Sequence, residues 1–316
     1  MKQREQKAYA KINLALDVTG RREDGYHLVD MIMNQVDLWD TVRMETEESI
    51  GEFMRKEKIF LSISGADLAA DSTNLAWKAA ECIGEIWKQK NNTEIPAVRI
   101  FIKKRIPMAA GLAGGSADCA AVLLGLNALW NLQLSLEELM EIGLRLGADV
   151  PFCLMGQAAA DSTLGVSGGG VCARAEGIGE KLTVLKAPSL WVLLVKPDLS
   201  LSTGEIYRKL DLMPSYSHPC MDVVVQALEQ GNLQKVFENS ANVLENSAAF
   251  EYPIIKYTKN KIKTKTGASY TAMSGSGPTV FGLYFTPEQC RKGAELMEEE
   301  FSAVYAVALH RSRELE

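Results

Sequence analysis

The sequence predicts an α+β fold, in which strands and helices are mixed without regular alternation. The N-terminal segment AKINLALDV alternates apolar and polar residues, which is typical of a strand. Residues 74–90 place their apolar side chains on one stripe, which is typical of an amphipathic helix. The second half reads as several helices followed by two strands around a glycine-rich turn. This order lacks the strict strand–helix alternation of a doubly wound sheet.

Length and composition limit the class of protein. The chain has 316 residues, enough for one large or two ordinary domains, with 47% hydrophobic and 23% charged residues. Its formal net charge of -6 provides no basic surface for nucleic acid or acidic membranes, although a local positive pocket for an anion stays possible. The six cysteines form no CxxC pair, and we expect buried free thiols in a reducing cytosol. The N-terminus MKQREQKAYAK lacks the apolar core of a signal peptide.

One apolar stretch, residues 106–130, resembles a membrane span in hydropathy alone. Its first half is rich in glycine, and Asp118 lies in its middle. The helical remainder would be about 22 Å long, shorter than the roughly 30 Å hydrocarbon core. We therefore expect no membrane segment here.

The first half of the chain predicts three strands, a helix and a fourth strand. In the first strand Ile12, Leu14, Leu16 and Val18 share one face, and Lys11, Asn13 and Asp17 share the other. Asp24-Gly25 predicts a turn into the strand LVDMIMNQVDLWDTVRMET. Residues 45–58 are polar and predict a surface loop. The strand KIFLSISG, the helix over 74–90 and the strand AVRIFIKKRIP follow.

The remaining elements are predicted from caps and periodicity. Ser135 and Glu138 have the spacing of a capping box, and Gly147 suits the end of that helix. GADVPF is predicted to be a loop or short turn, and most of 157–179 a loop. A buried strand SLWVLLVKP follows, then helices near 203–211, 220–230 and 232–245. The strand–turn–strand SYTAMSGSGPTVFGLYF, a helix over 287–300 and a strand over 303–309 complete the chain.

The loop PMAAGLAGGS has almost no side chains, and this pattern indicates anion binding. Glycine and alanine let a bulky anion approach the main-chain N–H groups. The following helix would present its N-terminal N–H groups at the same place. Ser116 offers a hydroxyl to a phosphate or a metal, and residues 103–105 add positive charge. The alternative to anion binding is that the small residues only allow a close contact between a helix and a strand. The loop matches neither the Walker A pattern nor the GxGxxG pattern of dinucleotide-binding proteins.

A second glycine cluster, SGSGP, covers Ser274–Pro278 between two predicted strands. By itself it indicates a hairpin turn. Two such loops in one chain favour a single anion site that both share.

Three segments in this order, AKINLALDV, PMAAGLAGGSADCAA and MSGSGPTVFG, resemble the GHMP small-molecule kinases. AKINLALDVTGRREDGYH and LGADVPF narrow the resemblance to the branch that phosphorylates a sugar alcohol carrying a cytidine diphosphate group, for isoprenoid precursors. The resemblance implies a two-domain GHMP kinase fold. An ATP-binding domain like domain 2 of ribosomal protein S5 would cover residues 1–188. A ferredoxin-like substrate domain would cover 189–316, with the active site in the cleft between them.

The resemblance also implies roles for individual residues. Asp149 would be the catalytic base and Lys11 its cationic partner. Asn74 and Lys104 would lie near adenine, and Ser116 would be the protein ligand of Mg²⁺. The ATP phosphates would bind Pro107, Met108, Ala109, Ala110, Gly111, Leu112, Ala113, Gly114, Gly115, Ser116 and Ala117. The substrate would contact Asn13, Tyr26, His27, Thr203, Tyr207, Ser274, Gly275, Ser276 and Gly277, with the two tyrosines on either side of the cytosine ring.

Several alternatives stay open at this point. Without the resemblance, Asp149 is a turn or capping residue, and Lys11 and His27 lie at the surface. The protein could be another GHMP kinase, of mevalonate or homoserine type, or a nucleotide-binding module without catalysis. The segment 157–174 is longer than the corresponding segment of the family that the chain resembles. The expected binding partner is a small molecule with a cytidine diphosphate group. We expect no binding to nucleic acid or to a membrane. The expected oligomeric state is a monomer or a weak homodimer.

Overall fold

The computed structural model describes residues 2–47 and 58–310, and within these ranges it confirms a mixed α+β architecture. The strands are β1 Lys2–Arg21, β2 His27–Glu47, β3 Ile59–Ser64, β4 Ala97–Lys103, β5 Cys172–Gly177, β6 Lys181–Val184, β7 Trp191–Lys196, β8 Tyr270–Met273, β9 Val280–Tyr284 and β10 Ala303–Ala308. The helices are α1 Leu75–Asn91, α2 Gly114–Leu129, α3 Leu136–Leu146, α4 Val150–Ala160, α5 Thr203–Asp211, α6 Met221–Glu229, α7 Leu233–Asn239, α8 Leu244–Glu251, α9 Pro253–Lys265 and α10 Pro287–Glu298.

The chain divides into two compact units. The first unit comprises Met1–Ala10, Leu38–Ile106 and Ala113–Gly170. The second comprises Lys11–Asp37, Pro107–Leu112 and Val171–Glu316. Both units use part of the hairpin of β1 and β2. The boundary between residues 188 and 189 that the resemblance implies stays a prediction.

The first unit is a sheet covered by helices α1 to α4. Strand β3 runs parallel to β4, and β4 pairs antiparallel with β2 from Thr41↔Lys103 to Glu47↔Ala97. Residues 117–127 of α2 are all buried, and a helix that is apolar on every side belongs in a core. Helix α2 begins at Gly114, directly after the glycine-rich loop. The buried helix therefore holds the C-terminal end of that loop in place.

The second unit contains two strand systems. β2 pairs antiparallel with β5 from Val29↔Gly177, and β5 pairs with β6. The other sheet has the order β10-β7-β9-β8, with every pair antiparallel. Along the chain this sheet reads strand, helices, strand, strand, helix, strand, which is the ferredoxin-like pattern. The predicted ferredoxin-like domain is confirmed.

Three predictions about local structure need correction. Only the first half of GADVPF is the predicted short turn, because α4 begins at Val150. Pro151 lies in the first turn of α4, where a backbone N–H has no partner within the helix and proline is tolerated. Most of 157–179 was predicted to be a loop; residues 157–160 instead end α4 and residues 172–177 form β5, while the residues between them are irregular apart from one short 3-10 turn. The predicted helix over 232–245 is two helices, since Ala241 and Val243 leave the helix to hydrogen-bond with Leu16 of β1. The predicted surface loop falls mainly on residues outside the described ranges.

Burial also differs from the simple strand pattern. Lys11, Asn13 and Asp17 were expected on a polar face, yet they are 4%, 0% and 7% exposed. Both faces of β1 are therefore buried at this point, and its polar side chains need partners within the protein. Across residues 2–47 and 58–310, every helix is too short or too polar to cross a membrane.

Candidate functional site

The two glycine-rich loops contact each other in the second unit. Ser274 Oγ donates a hydrogen bond to the carbonyl oxygen of Gly111 at 3.0 Å. The N–H of Thr279 donates to the carbonyl oxygen of Ala110 at 3.4 Å. A β-carbon added at Gly111 would lie 2.2 Å from the carbonyl oxygen of Ser274, so only glycine fits. The loops form one backbone surface, as the sequence favoured.

The backbone of the first loop is held in an unusual conformation. Ala109, Gly111 and Ala113 have φ values of 46°, 73° and 58°, all in the left-handed region. This region costs an alanine about 1–2 kcal/mol, and such strain concentrates at ligand-binding loops. Left-handed residues within a loop turn successive N–H groups toward one point, where they form an anion-binding concavity. The first turn of α2 follows directly and carries N–H groups that no earlier turn satisfies.

Lys11 and Asn13 lie beside these loops in the second unit. Lys11 Nζ donates to Asn13 Oδ1 at 2.7 Å, and the N–H of Lys11 donates to the carbonyl oxygen of Leu112 at 3.1 Å. A β-carbon added at Gly275 would lie 3.4 Å from Lys11 Nζ and 3.3 Å from Asn13 Oδ1. The alternative that Lys11 is a solvated surface lysine is wrong, since the residue is 4% exposed.

Asn242 holds the second glycine-rich loop, Ser274–Pro278, through hydrogen bonds to its backbone and to the residue before it. Its Nδ2 donates to the carbonyl oxygens of Met273 and Gly275, both at 2.8 Å. Thr203 Oγ1 and Ser276 Oγ lie 2.9 Å apart and share a hydrogen bond. The predicted residues Thr203, Ser274, Gly275 and Ser276 are thus close together.

The predicted base-binding residues form a second group at the surface of the same unit. The rings of His27 and Tyr207 lie 4.7 Å apart between centroids, tilted by 34°. His27 Nε2 lies 2.8 Å from Asp211 Oδ1, and Arg21 contacts the other oxygen of Asp211 at 3.3 Å. Tyr26 is 60% exposed. Two aromatic rings and an exposed tyrosine provide flat surfaces on which a planar base could stack.

The first unit holds Asn74, Ser116 and Asp149. Asn74 caps α1: its Oδ1 accepts from the N–H of Ala76 at 2.9 Å. Asp149 precedes α4 and is half-buried, with φ -83° and ψ -11°. That helical conformation differs from the extended one of Asn74 and Ser135, whose side chains do cap helices. Ser116 Oγ lies 3.9 Å from the position of a β-carbon at Gly147, so the hydroxyl faces the turn that leads to Asp149.

Lys104 belongs to a buried triad of charges in the first unit. Its Nζ contacts Asp40 and lies 2.6 Å from Asp118 Oδ2. Burial lowers the pKa of Lys104, but the two carboxylates outweigh burial and hold it above its ordinary value. Burial raises the pKa of Asp118 to about 7, with repulsion from Asp40 adding to the rise and Lys104 opposing it.

Comparison with known proteins shows the family of this chain. The models of the GHMP kinases N-terminal domain and the GHMP kinases C-terminal domain match residues 74–157 and 224–304. A 4-diphosphocytidyl-2-C-methyl-D-erythritol kinase of Alkaliphilus metalliredigens (strain QYMF) is 44% identical over 285 residues, 90% of this chain and 89% of its own. The chain belongs to the 4-diphosphocytidyl-2-C-methyl-D-erythritol kinases, within the GHMP kinases.

Solved structures support the same fold. A crystal structure of 4-(cytidine 5'-diphospho)-2C-methyl-D-erythritol kinase has a TM-score of 0.76 and 31% identity, over 97% of this chain and 99% of that one. Homoserine kinase from Cytophaga hutchinsonii ATCC 33406 has a TM-score of 0.71 over 99% of this chain and 96% of its own, but only 16% identity. The second likeness shows the fold alone. As a member of the 4-diphosphocytidyl-2-C-methyl-D-erythritol kinases, the chain is an ATP-dependent small-molecule kinase.

Sequence reasoning missed four residues that contact predicted site residues or the second glycine loop: Asp40, Asp118, Asp211 and Asn242. Asp118 carried one usable signal, because it is a lone carboxylate within an apolar helix. Asp211 and Asn242 lie within ordinary polar sequence, and only the tertiary structure brings them to His27 and to the second glycine loop.

Proposed function

We propose that this chain transfers the γ-phosphoryl group of ATP to the 2-hydroxyl of 4-diphosphocytidyl-2-C-methyl-D-erythritol. The products would be the 2-phosphate and ADP, within the methylerythritol phosphate pathway to isoprenoid precursors. The name of a relative 44% identical over most of the chain supports the substrate. The observation that carries the proposal is the contact of the two glycine-rich loops beside the buried Lys11.

Phosphoryl transfer needs positioning and charge stabilisation more than covalent chemistry. The loop Pro107–Ala117 would bind the ATP phosphates through its N–H groups and the first turn of α2. Loop Ser274–Gly277 and Thr203 would approach the phosphate and the acceptor hydroxyl. Lys11 would offset the negative charge that develops on the acceptor oxygen. The position of adenine beside Asn74 and Lys104 stays a prediction.

Asp149 would remove the proton of the acceptor hydroxyl. A hydroxyl is a weak nucleophile until its proton begins to leave, and a carboxylate within hydrogen-bonding distance can accept that proton. The half-buried position and the short turn between α3 and α4 support this role, because both hold the carboxylate in a defined place.

Magnesium is proposed as the metal that accompanies ATP. When bound, it would neutralise part of the charge on the phosphate oxygens. Within residues 2–47 and 58–310, no group of three or more His, Cys, Asp or Glu side chains could hold a metal. We expect the magnesium ion to be held mainly by phosphate and water, with the Ser116 hydroxyl as the protein ligand.

The cytidine portion would bind at the surface group of the second unit. Tyr26 and Tyr207 would stack on the two faces of the cytosine ring, and His27 and Asn13 would hydrogen-bond the substrate. We further propose that the protein acts in the cytoplasm, as a monomer or weak homodimer.

The test is ADP release from the purified chain with ATP, magnesium and 4-diphosphocytidyl-2-C-methyl-D-erythritol. We expect ADP to form with this substrate and not with mevalonate or homoserine. ADP formation with mevalonate or homoserine alone would assign the chain to another GHMP activity. Nucleotide binding without ADP release from any of the three would indicate a module without catalysis.

A further inference from the structure

The buried triad of Asp40, Lys104 and Asp118 connects three elements of the first unit. Asp40 lies on β2, Lys104 directly follows β4, and Asp118 is in the second turn of α2. All three residues are 8% exposed or less. The glycine-rich loop runs from Pro107 to Ala113, so β4 and α2 lie immediately before and after it.

Asp40 fixes the chain where it enters the loop. Its Oδ1 accepts hydrogen bonds from the N–H groups of Arg105 and Ile106, the latter at 2.9 Å. Arg105 and Ile106 are the last two residues before Pro107. A buried carboxylate that accepts two backbone N–H groups holds that backbone in one direction.

Lys104 and Asp118 fix the chain where it leaves the loop. Lys104 Nζ donates to Asp118 Oδ2 at 2.6 Å and so holds the start of α2 against the end of β4. A β-carbon added at Gly114 would lie 3.4 Å from Lys104 Nζ and 3.0 Å from Ile106 Cγ2. The first residue of α2 therefore lies directly on the residues that precede the loop.

Such a triad is poorly explained by stability alone. Three buried charges lose their hydration, and apolar side chains of similar size often stabilise a protein equally well. Ala109 and Ala113 adopt a left-handed conformation that is unfavourable for alanine, so contacts elsewhere in the protein must stabilise the loop in it.

We propose that Asp40, Lys104 and Asp118 are positioning residues for the triphosphate: they hold the two ends of the loop so that its N–H groups and the start of α2 point at the phosphates. Lys104 would then act through the loop and would not touch the adenine base, in contrast to the position beside adenine that the resemblance implies. The proposal rests on ATP as the nucleotide, and it does not depend on which alcohol is phosphorylated.

Two ligands separate the two roles of Lys104. Calorimetric titration with a non-hydrolysable ATP analogue measures binding that includes the phosphates, and titration with adenosine measures the base alone. For Lys104→Met we expect affinity for the analogue to fall about tenfold or more, because a displaced loop misaligns every phosphate contact. Adenosine affinity should change less than about twofold. Lys78→Met, an exposed lysine of the same unit, is the control and should bind both as the wild type does.

A second pair of variants covers the case in which Lys104→Met fails to fold. Asp118→Asn keeps an oxygen that can accept the hydrogen bond from Lys104. The new NH₂ group would replace Oδ1, which has no hydrogen-bond partner among the described residues, so the substitution breaks no other hydrogen bond there. Asp118→Leu has similar size and offers no acceptor. We expect the asparagine to retain affinity for the analogue within about threefold and the leucine to lose about tenfold, with adenosine binding unchanged in both.

Three results would overturn the proposal. Equal losses of affinity for adenosine and for the analogue in Lys104→Met would make Lys104 a contact of the base. Unchanged analogue affinity in Asp118→Leu would make the triad purely structural. Equal analogue affinity in Asp118→Asn and Asp118→Leu would show that the hydrogen bond from Lys104 to Asp118 does not position the loop. All measurements use the nucleotide without the cytidine substrate, so an error in the substrate assignment would leave them unaffected.

Discussion

Gly111 and Ser274 meet so closely that a β-carbon on the glycine would lie 2.2 Å from the serine carbonyl oxygen. The Ser274 hydroxyl returns a hydrogen bond to the Gly111 carbonyl oxygen at 3.0 Å. The two residues are far apart in sequence, and each belongs to one of the glycine-rich loops. Their contact makes the two loops a single rigid backbone surface, and it explains why one loop cannot carry a side chain at this point.

The first prediction concerns Gly111→Ala. The new methyl group would push the two loops apart, and we expect affinity for the ATP analogue to fall about tenfold or more. Gly165→Ala is a matched control, because both glycines have φ 73° and a β-carbon at Gly165 has no heavy atom within 4 Å. Both variants should lose about 1 kcal/mol of stability from the left-handed conformation, and Gly111→Ala should lose more, because its methyl group also displaces the Ser274 carbonyl. Calorimetric titration measures the nucleotide affinity of the two variants, and thermal unfolding measures their stability. Equal nucleotide affinity of Gly111→Ala and Gly165→Ala would contradict the prediction.

The second prediction concerns Asp149→Asn. The amide has nearly the same shape but cannot accept the proton of the acceptor hydroxyl, so turnover should fall by at least about a hundredfold. ATP-analogue affinity should stay close to that of the wild type. Asp161→Asn, at the other end of α4, is the control and should keep its turnover. Steady-state ADP release measures both, and a wild-type rate in Asp149→Asn would refute the role of base.

The third prediction concerns Asp211→Asn. The carboxylate holds His27 at 2.8 Å and Arg21 at 3.3 Å, and the neutral amide would weaken both contacts. If His27 orients the cytidine portion, the KM for the cytidine substrate should rise about three- to tenfold while the KM for ATP stays unchanged. Asp222→Asn is the control: it is also paired with an arginine, Arg174, in the same unit. Equal effects of Asp211→Asn on both KM values would argue against a specific role.

The fourth prediction concerns pH and Asp118. In the folded protein its pKa is about 7, against an ordinary value of 3.8. Between these values the folded protein keeps a proton that the unfolded chain has released, so the contribution of this group to stability falls as pH rises and levels off above about pH 7. Urea unfolding of the wild type and Asp118→Asn between about pH 5 and 8 should show the wild type losing stability relative to the variant. A difference that does not vary with pH would mean that the folded pKa is ordinary.

The fifth prediction separates folding from function. Ser135 and Glu138 form a complete capping box at the start of α3, with the Ser135 side chain accepting from the N–H of Glu138. Ser135→Ala should lower the free energy of unfolding by about 1 kcal/mol and leave the kinetic constants unchanged. Chemical denaturation and ADP release test the two halves of this expectation. A large loss of turnover would show that α3 supports the site more directly than its contacts suggest.

Local signals predicted the local structure where a short segment carries its own conformational preference. The loop before α2, the strand β1 and the hairpin around Ser274 were confirmed as local structures, because each depends on neighbouring residues, but the solvated polar face expected for β1 was wrong. Helix α4 was missed because Asp149 and Pro151 are typical both of a turn and of a helix start. The break between α7 and α8 was missed because its cause is Leu16, a residue distant in sequence.

The amino-acid sequence by itself determined the mixed fold, the two glycine-rich loops and, through segments that resemble known kinases, the family. The mixed fold and the loops follow from backbone preference and hydrophobic period, which act over a few residues, whereas the family rests on the resemblance of the quoted segments. The tertiary structure alone decided that the two loops meet, that Lys11 is buried beside them and that Lys104 lies between two carboxylates. These contacts join residues far apart in the chain, and their energies depend on burial, which no local pattern reports.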